Sequence, residues 1–464
     1  MENMQSNRNS VLFVMCLATI LVPFMGSSMN LALPVIAKEF SLNAISLSWI
    51  VSIFLLTSAI LPVPFSRLGD MVGRKKIFMI GVLIFTIASI LCGFSTSGTL
   101  LLFYRFLQGF GASMMFATNM AILTSIFPPN ERGKALGLIT ATVYISSSSG
   151  PFFGGMLTQY YGWRSIFFVS SAIGIAVIIG ASTIIKGEWI ESKGEKFDWI
   201  GVLLYGTGLS TLIYGFSVLP GIIGFALILL GITTMTIFVQ FEKKQIHPVL
   251  NVRLFWENKI FGLASSAALI NYSATFAISF LLSLYLQYVK GFDAHHAGFI
   301  LIVQPIAQAI ISPLAGRWSD IIDARKLATL GMAILVLGLA LMFFLSPATP
   351  LIAIIFIAII LGTGFGIFSS PNMNVIMGSV EKKFLGMASA TTNTMRLAGQ
   401  SFSMGITMMV ISIFVGKLKI SHEVIPQFMK SIHVTFIILA ILCMVGVYAS
   451  WTGTKQKSGN LSKA

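Results

Sequence analysis

The stretch SRLGDMVGRKK, residues 66–76, returns 250 positions later as GRWSDIIDARK, residues 316–326. Arg67 aligns with Arg317, Asp70 with Asp320 and Lys75 with Arg325. Each copy lies between two long apolar blocks. In the first copy Gly69 and Gly73 permit a tight turn, and Asp70 is the only acid among Arg67, Arg74, Lys75 and Lys76. Two further pairs of strings follow in the same order: QGFGAS (108–113) resembles TGFGIF (363–368), and ERGKALG (131–137) resembles FLGMASA (384–390). A repeat of this period divides the chain into two related halves. Parallel halves related about an axis along a membrane normal are a device of alternating access.

The rest of the composition agrees. Of 464 residues, 56% are apolar and only 10% are Asp, Glu, Lys or Arg, where a soluble protein carries about 25% charged residues. Such a chain cannot cover a surface facing water, which excludes a soluble enzyme, a nucleic-acid binder and a disordered scaffold. A helix needs about 20 apolar residues to cross a bilayer. Blocks of that kind fall at 11–34, 48–66, 77–96, 99–126, 134–159, 164–185, 199–218, 220–240, 259–289, 294–316, 327–346, 350–371, 384–415 and 431–452. The first is too long for a signal-peptide core and lacks a small-residue cleavage pattern, so it is read as a retained span. With both termini inside, 22 of the 30 Lys and Arg fall in inner segments and six in outer ones. That bias sets a cell-membrane topology with both ends cytoplasmic, and it accounts for the net charge of +15 without a polyanionic partner. Cys16, Cys92 and Cys443 each sit within apolar blocks and read as small hydrophobes.

The expected architecture is all-α: a six-helix bundle over 1–185, a linker with two additional spans over 186–258, and a second six-helix bundle over 259–464. The polar connection 241–259 interleaves Phe, Val, Leu and Trp with basic residues. It reads either as a helix lying on the membrane interface or as a solvated loop.

Four motifs then point to one family. The loop 66–76 follows G-x-L-x-D-x-x-G-R-K/R, with Ser66 in the first position. Gly137, Ser146, Gly150, Pro151, Gly154 and Gly155 follow G-x8-G-x3-G-P-x2-G-G, departing only at Ser146. Arg105, Gln108 and Gly109 form R-x-x-Q-G, and Asn30, Ala32, Leu33, Pro34 and Ile36 form NxALPxI. Over nearly its whole length the chain resembles a major facilitator superfamily transporter, specifically the fourteen-span drug:proton antiporters. The resemblance implies an alternating-access exporter of small amphipathic compounds, coupled to protons or another ion, in which the loop around Asp70 gates one face. The glycines of the fifth span admit a close neighbour, and Pro151 permits a bend.

Polar groups in hydrocarbon are costly and mark function. Arg105, Gln108 and Asn119 share a face of one span; Asn393, Arg396 and Gln400 share another; Gln304 with Gln308 and Asn271 with Thr275 form two more pairs, and Asn30 and Asn374 add amides. These are expected to face the gap between the halves. No Asp or Glu falls in the middle of any block, and Met25 stands where many family members carry a membrane acid. That departure favours a neutral or anionic substrate over a dication, and a specific carrier for one metabolite or lipid stands beside multidrug export as a reading. A membrane sensor on the same fold is the distant third. No cofactor, no catalytic constellation and no metal site is expected; the adjacent His295 and His296 should point apart. The expected partners are a small amphipathic substrate, an ion and the bilayer, with the chain acting as a single copy.

Overall fold

The computed structural model describes residues 2–128, 131–191, 197–245, 252–380 and 385–452, and those residues form helices without strands. The first bundle comprises α1 (Glu2–Phe40), α2 (Ala44–Ile60), α3 (Pro62–Val72), α4 (Arg74–Gly93), α5 (Gly98–Ile126), α6 (Arg132–Tyr161) and α7 (Arg164–Ile184). A middle pair, α8 (Trp199–Val218) and α9 (Ile222–Glu242), leads through the short α10 (Arg253–Glu257) to the second bundle. That bundle holds α11 (Lys259–Leu284), α12 (Ala294–Leu301), α13 (Val303–Ile321), α14 (Ala324–Met342), α15 (Leu351–Gly378), α16 (Leu385–Phe414) and α17 (Ile425–Thr452).

Among the described residues twelve helices, with α12 and α13 counted as one, are long and apolar enough to cross a membrane, and α2 with α3, bent by 44°, makes a thirteenth span. The remaining block, 134–159, is helical within the 30 residues of α6, but the run TATVYISSSSG lowers its hydropathy. Packing against α1, rather than lipid, supports that helix.

Many of the acids that the sequence leaves outside the apolar blocks start helices. Asp198, Asp293 and Asp323 accept hydrogen bonds from the backbone N–H groups of Gly201, His296 and Arg325 at 2.8–2.9 Å. Asn43 and Asn258 do the same for α2 and α11. Each such cap contributes about 1 kcal/mol, and a membrane helix needs it because its end meets less water.

Close glycine crossings repeat between the bundles. In α4 and α5, a Cβ on Gly111 would meet the Phe85 N at 2.5 Å and the Gly81 O at 2.7 Å. In α14 and α15, a Cβ on Gly331 would meet the Phe368 N at 2.5 Å and the Gly364 O at 2.8 Å. Likewise Gly109 approaches the Phe54 carbonyl on α2, as Gly362 approaches that of Gln304 on α13. These contacts pair Gly109 with Gly362 and Gly111 with Gly364, so the register of the second string is shifted by two from the one that QGFGAS and TGFGIF suggest. The ERGKALG and FLGMASA strings lie partly outside the described side chains. Helices packed so closely move as a block.

Contacts between ends orient the bundle. Arg8 pairs with Glu131 at 3.7 Å, and the Arg74 N–H donates to the Trp189 carbonyl at 3.1 Å, on the face that carries the termini. On the far face Arg164 grips both Glu39 oxygens, and its guanidinium lies 4.4 Å from the Trp163 ring.

Candidate central cavity and its gates

Between the bundles, at mid-height, lies a cavity of about 160 Å³. Eight helices build it. From α1 come Pro23, Gly26, Ser27 and Asn30; α2 gives Phe54 and Ser58; α6 gives Tyr144, Ser147 and Ser148; α11 gives Tyr272, Thr275, Phe276 and Ser279; α13 gives Gln304, Pro305 and Gln308. Phe116 and Phe365 close two sides, and α16 contributes Arg396 and Gln400. Six aromatic rings therefore surround four amides and one cation. Among the described residues none that lines it is acidic. A Cβ on Gly26 would stand in open space, so glycine here gives the cavity width rather than packing. Asn30 is 1% exposed, and neither atom of its side-chain amide has a hydrogen-bond partner among the described residues. Arg396 lies with its guanidinium 5.6 Å from the Phe116 ring, which holds it flat against an aromatic wall.

The structure divides the expected polar residues into two groups. Asn30, Gln304, Gln308 and Arg396 line the cavity. Arg105 and Gln108 do not. Arg105 is fully buried within the first bundle, where its Nε donates to the Ile50 carbonyl at 3.1 Å and a terminal nitrogen to the Gln108 Oε1 at 2.5 Å. Gln108 passes the chain on to the Ser89 hydroxyl at 2.7 Å, and the guanidinium stacks 4.2 Å over Phe54. The ring of Phe54 stands between this arginine and the cavity. Asn119 bonds Thr19 at 2.7 Å, Asn271 bonds the Met332 sulfur at 3.6 Å, and Asn374 bonds Ser319 at 2.7 Å; each ties helices of its own bundle. Asn393 is half-buried on α16 and is not a lining residue. Helical spacing identifies a shared face but not which neighbour that face meets, and this is why half of the expected set faces inward to its own bundle. Sequence reasoning passed over the aromatic walls Phe54, Phe116, Tyr144, Tyr272, Phe276 and Phe365, and among the small residues Ser147 and Ser148. The signal was the serine run before Gly150, which reads as small packing residues.

Because Arg105 holds three helices together, Arg105→Ala should cost about 3 kcal/mol of stability through lost hydrogen bonds and a residual cavity. A lower thermal unfolding midpoint, with substrate preference unchanged in the folded fraction, is the expected result. A changed preference with unchanged stability would return Arg105 to the transport path.

The far end is sealed by backbone. On α6, Gly150 and Gly154 pack against Ser27 and Ser28 of α1. Gly155 turns to the other bundle and lies against the Ala294 carbonyl of α12, while a Cβ on Gly298 of α12 would meet the Pro151 carbonyl at 2.6 Å. Phe152 and Phe299 cross edge to face at 5.0 Å beside them, and Tyr160 meets His295 at 5.4 Å. Three hydrogen bonds join the bundles in this half: Ser283 to the Asn30 carbonyl at 2.8 Å, Ser52 to the Met408 sulfur at 3.5 Å, and the Ala44 N–H to the Leu418 carbonyl at 3.1 Å. Of the remaining motif residues, Ser146 is buried and bonds the Thr142 carbonyl, while Gly137 is exposed, with nothing within 4 Å of a Cβ.

At the face of the termini, Arg74 organises the repeated loop. Its Nε bonds Asp70 at 2.7 Å and its terminal nitrogens bond Glu191 at 2.6 Å and Ser125 at 2.7 Å. Gly73 has φ +126°, which favours glycine, and the Glu188 carboxylate sits beside it to cap α4 at the N–H groups of Lys75 and Lys76. Lys75 also bonds the Ile185 carbonyl at 2.5 Å. The connection after α7 thus clamps the loop, a role that its polar composition alone did not reveal. A Cβ on Gly69 would meet the Thr118 methyl at 3.1 Å, Arg67 is half-buried on α3, Arg317 is exposed on α13, and Arg325 opens α14; the side chain of Asp320 lies outside the described residues.

Asp293, His295 and His296 have ligating atoms within 4.8 Å of one another. At the first turn of α12 the His296 Nδ1 bonds the capping Asp293 at 2.9 Å, while the His295 ring lies against Tyr160 and Phe299. Burial raises the Asp293 carboxyl, but the His296 N–H and ring outweigh it and hold it below the usual carboxylate value.

A fold of paired bundles around a mid-height cavity is shared by solved transporters. A bacterial homologue of the human lysosomal transporter Spinster superposes with a TM-score of 0.71 at 16% identity, covering 96% of this chain and 97% of that one. The nucleoside transporter NupG gives 0.62 at 12% identity, over 97% of this chain and 100% of that one. The sequence profile of the Major Facilitator Superfamily matches residues 15–404 and 264–463. The chain belongs to that superfamily. Within the superfamily it is 31% identical over 448 residues to the riboflavin transporter RibZ of Clostridioides difficile, covering 94% of this chain and 95% of that one. It is 28% identical over 390 residues to the multidrug resistance protein Stp of Mycobacterium tuberculosis (82% and 72%), and 29% identical over 418 residues to the methylenomycin A resistance protein of Bacillus subtilis (88% and 89%). This major facilitator protein is a multi-pass membrane transporter by fold and family.

Proposed function

We propose that the chain is a secondary active exporter of small, planar amphipathic molecules, neutral or anionic, working by alternating access in the cell membrane with both termini cytoplasmic. The single observation that carries this reading is the cavity lining: six aromatic rings, four amides, one arginine and no acid. Aromatic walls bind flat conjugated surfaces, amides bond their polar edges, and an acid-free site gives a dication nothing to balance its charge. The close glycine crossings at the far end support loading of cargo from the cytoplasmic side. The likeness to a riboflavin transporter supports a planar, uncharged cargo. The likeness to multidrug and antibiotic resistance proteins supports the second reading, export of many compounds. Energy comes from an ion gradient or from the gradient of the cargo.

The test is flux in proteoliposomes, with riboflavin, an anionic conjugated dye and a dicationic dye compared under an imposed pH gradient at clamped potential. Saturable movement of the first two is expected. Preferential movement of the dicationic dye would overturn the charge assignment, and a rate that ignores the pH gradient would remove protons as the coupling ion.

A further inference from the structure

A second, larger cavity lies outside the central one. It measures about 570 Å³ and is enclosed by the middle pair, α10, α11 and α16. Its walls are almost wholly apolar, with Leu209 and Phe238 from the middle pair facing Leu263 and Phe402 from the second bundle. It backs onto the central site through two shared helices: Leu269 and Ala398 face this cavity, whereas Tyr272 and Leu397 face the central one. Within a bilayer an apolar recess of this size opens toward acyl chains rather than toward water.

Its charged rim lies at the face of the termini. Lys259 and Trp256 line the recess, and the ammonium of Lys243 stands 3.9 Å over the Trp256 ring. Arg253, whose Nε bonds the Lys243 carbonyl at 2.7 Å, fixes α10 against the end of α9. Lys243, Arg253, Trp256 and Lys259 are all exposed. Of the nearby acids, Glu242 is buried, Asp198 is half-buried near it at the start of α8, and Glu257 is exposed on α10. The outer surface is therefore basic above an apolar slot, with a tryptophan at the depth where aromatic side chains mark the headgroup region.

We infer that this recess is a binding site for one anionic phospholipid, its acyl chain filling the slot and its phosphate held between Lys243 and Lys259. Charge complementarity selects the anionic headgroup over a zwitterionic one, because each basic residue near a membrane surface adds attraction to anionic lipid. Placing that lipid in the cytoplasmic leaflet rests on the orientation proposed above; the site itself does not. A chain seated here wedges the middle pair against α11 and α16, the helices that also carry Tyr272 and Arg396.

The experiment is native mass spectrometry of the full chain, released from nanodiscs containing equal phosphatidylglycerol and phosphatidylcholine of the same chain length. One phosphatidylglycerol should be retained in preference to phosphatidylcholine. The double variant Lys243→Gln/Lys259→Gln should reduce that preference by roughly tenfold, and Ser266→Trp, at an exposed residue lining the recess, should remove retention of either lipid. Equal retention of the two lipids by the unaltered protein would overturn the headgroup assignment, as would a double variant that keeps its preference. Retention unaffected by Ser266→Trp would move the lipid elsewhere. Displacement of the lipid by riboflavin or the anionic dye would make the recess a vestibule for cargo, and a dimer mass would make it a contact between copies; either result overturns the lipid site. Retention is read without transport, so failure of the proposed cargo and failure of this site are separate outcomes.

Discussion

Gly155→Leu should reduce transport by about two orders of magnitude while leaving the protein folded. A side chain at this position points into the Ala294 carbonyl of the opposite bundle, and a backbone atom cannot rotate away as a side chain can. Overpacking costs up to about 3 kcal/mol, and it is paid only when the bundles meet, so it shifts the balance of states roughly 100-fold toward the one with the far end open. Gly298→Leu should act the same way from the other side, because its Cβ meets the Pro151 carbonyl. Gly137→Leu is the control, since it adds a side chain to open space on the same helix. The measurements are proteoliposome flux and the labelling of a cysteine placed at Ser279 by a reagent added to the far side. Labelling that does not rise in Gly155→Leu would show that this crossing is not the seal.

Arg396→Ala should separate cargoes by charge. Among the described residues Arg396 is the only charged one that lines the central cavity, and a hydrogen bond to a charged group contributes about 1.5–3 kcal/mol. The apparent KM for an anionic dye should therefore rise between roughly tenfold and 100-fold, whereas a neutral flavin should lose less than that. Arg396→Lys keeps the charge but not the flat face against Phe116 and should fall between the two. Equal losses for both cargoes would make the residue structural, as Arg105 is. The contrast between the two arginines is already visible in their surroundings. Arg105 spends its donors on Ile50 and Gln108 within one bundle, while Arg396 rests against the cavity wall.

The fold was legible because its causes are local and repeated. Blocks of about twenty apolar residues can do little but cross a bilayer as helices, and the duplicated loop at 66–76 and 316–326 divides them evenly. The glycines of α6 were legible as close packing for the same reason, although their partners were not. Gly150 and Gly154 meet α1 and only Gly155 meets the other bundle, a distinction that depends on how the helix is rotated. The cavity was half legible. Gln304, Gln308 and Arg396 stand out as polar groups in apolar blocks, but so do Gln108, Asn119 and Asn271, which satisfy one another's neighbours inside a bundle. Tyr144 and the serines after it were hidden by ordinariness, since nothing in their local composition departs from a packing surface. The clamp of Glu191 on Arg74, and of Glu188 on the N–H groups of Lys75 and Lys76, joins residues more than a hundred positions apart and has no signature in spacing at all.

The door at the far end is made of peptide groups pressed together, whereas the chamber beneath it is furnished entirely by interchangeable side chains. A substitution that reshapes the chamber away from Ser27 and Asn30 leaves the crossing of Gly155 and Gly298 untouched, so lineages built on this plan are free to diversify what they carry without relearning how to close.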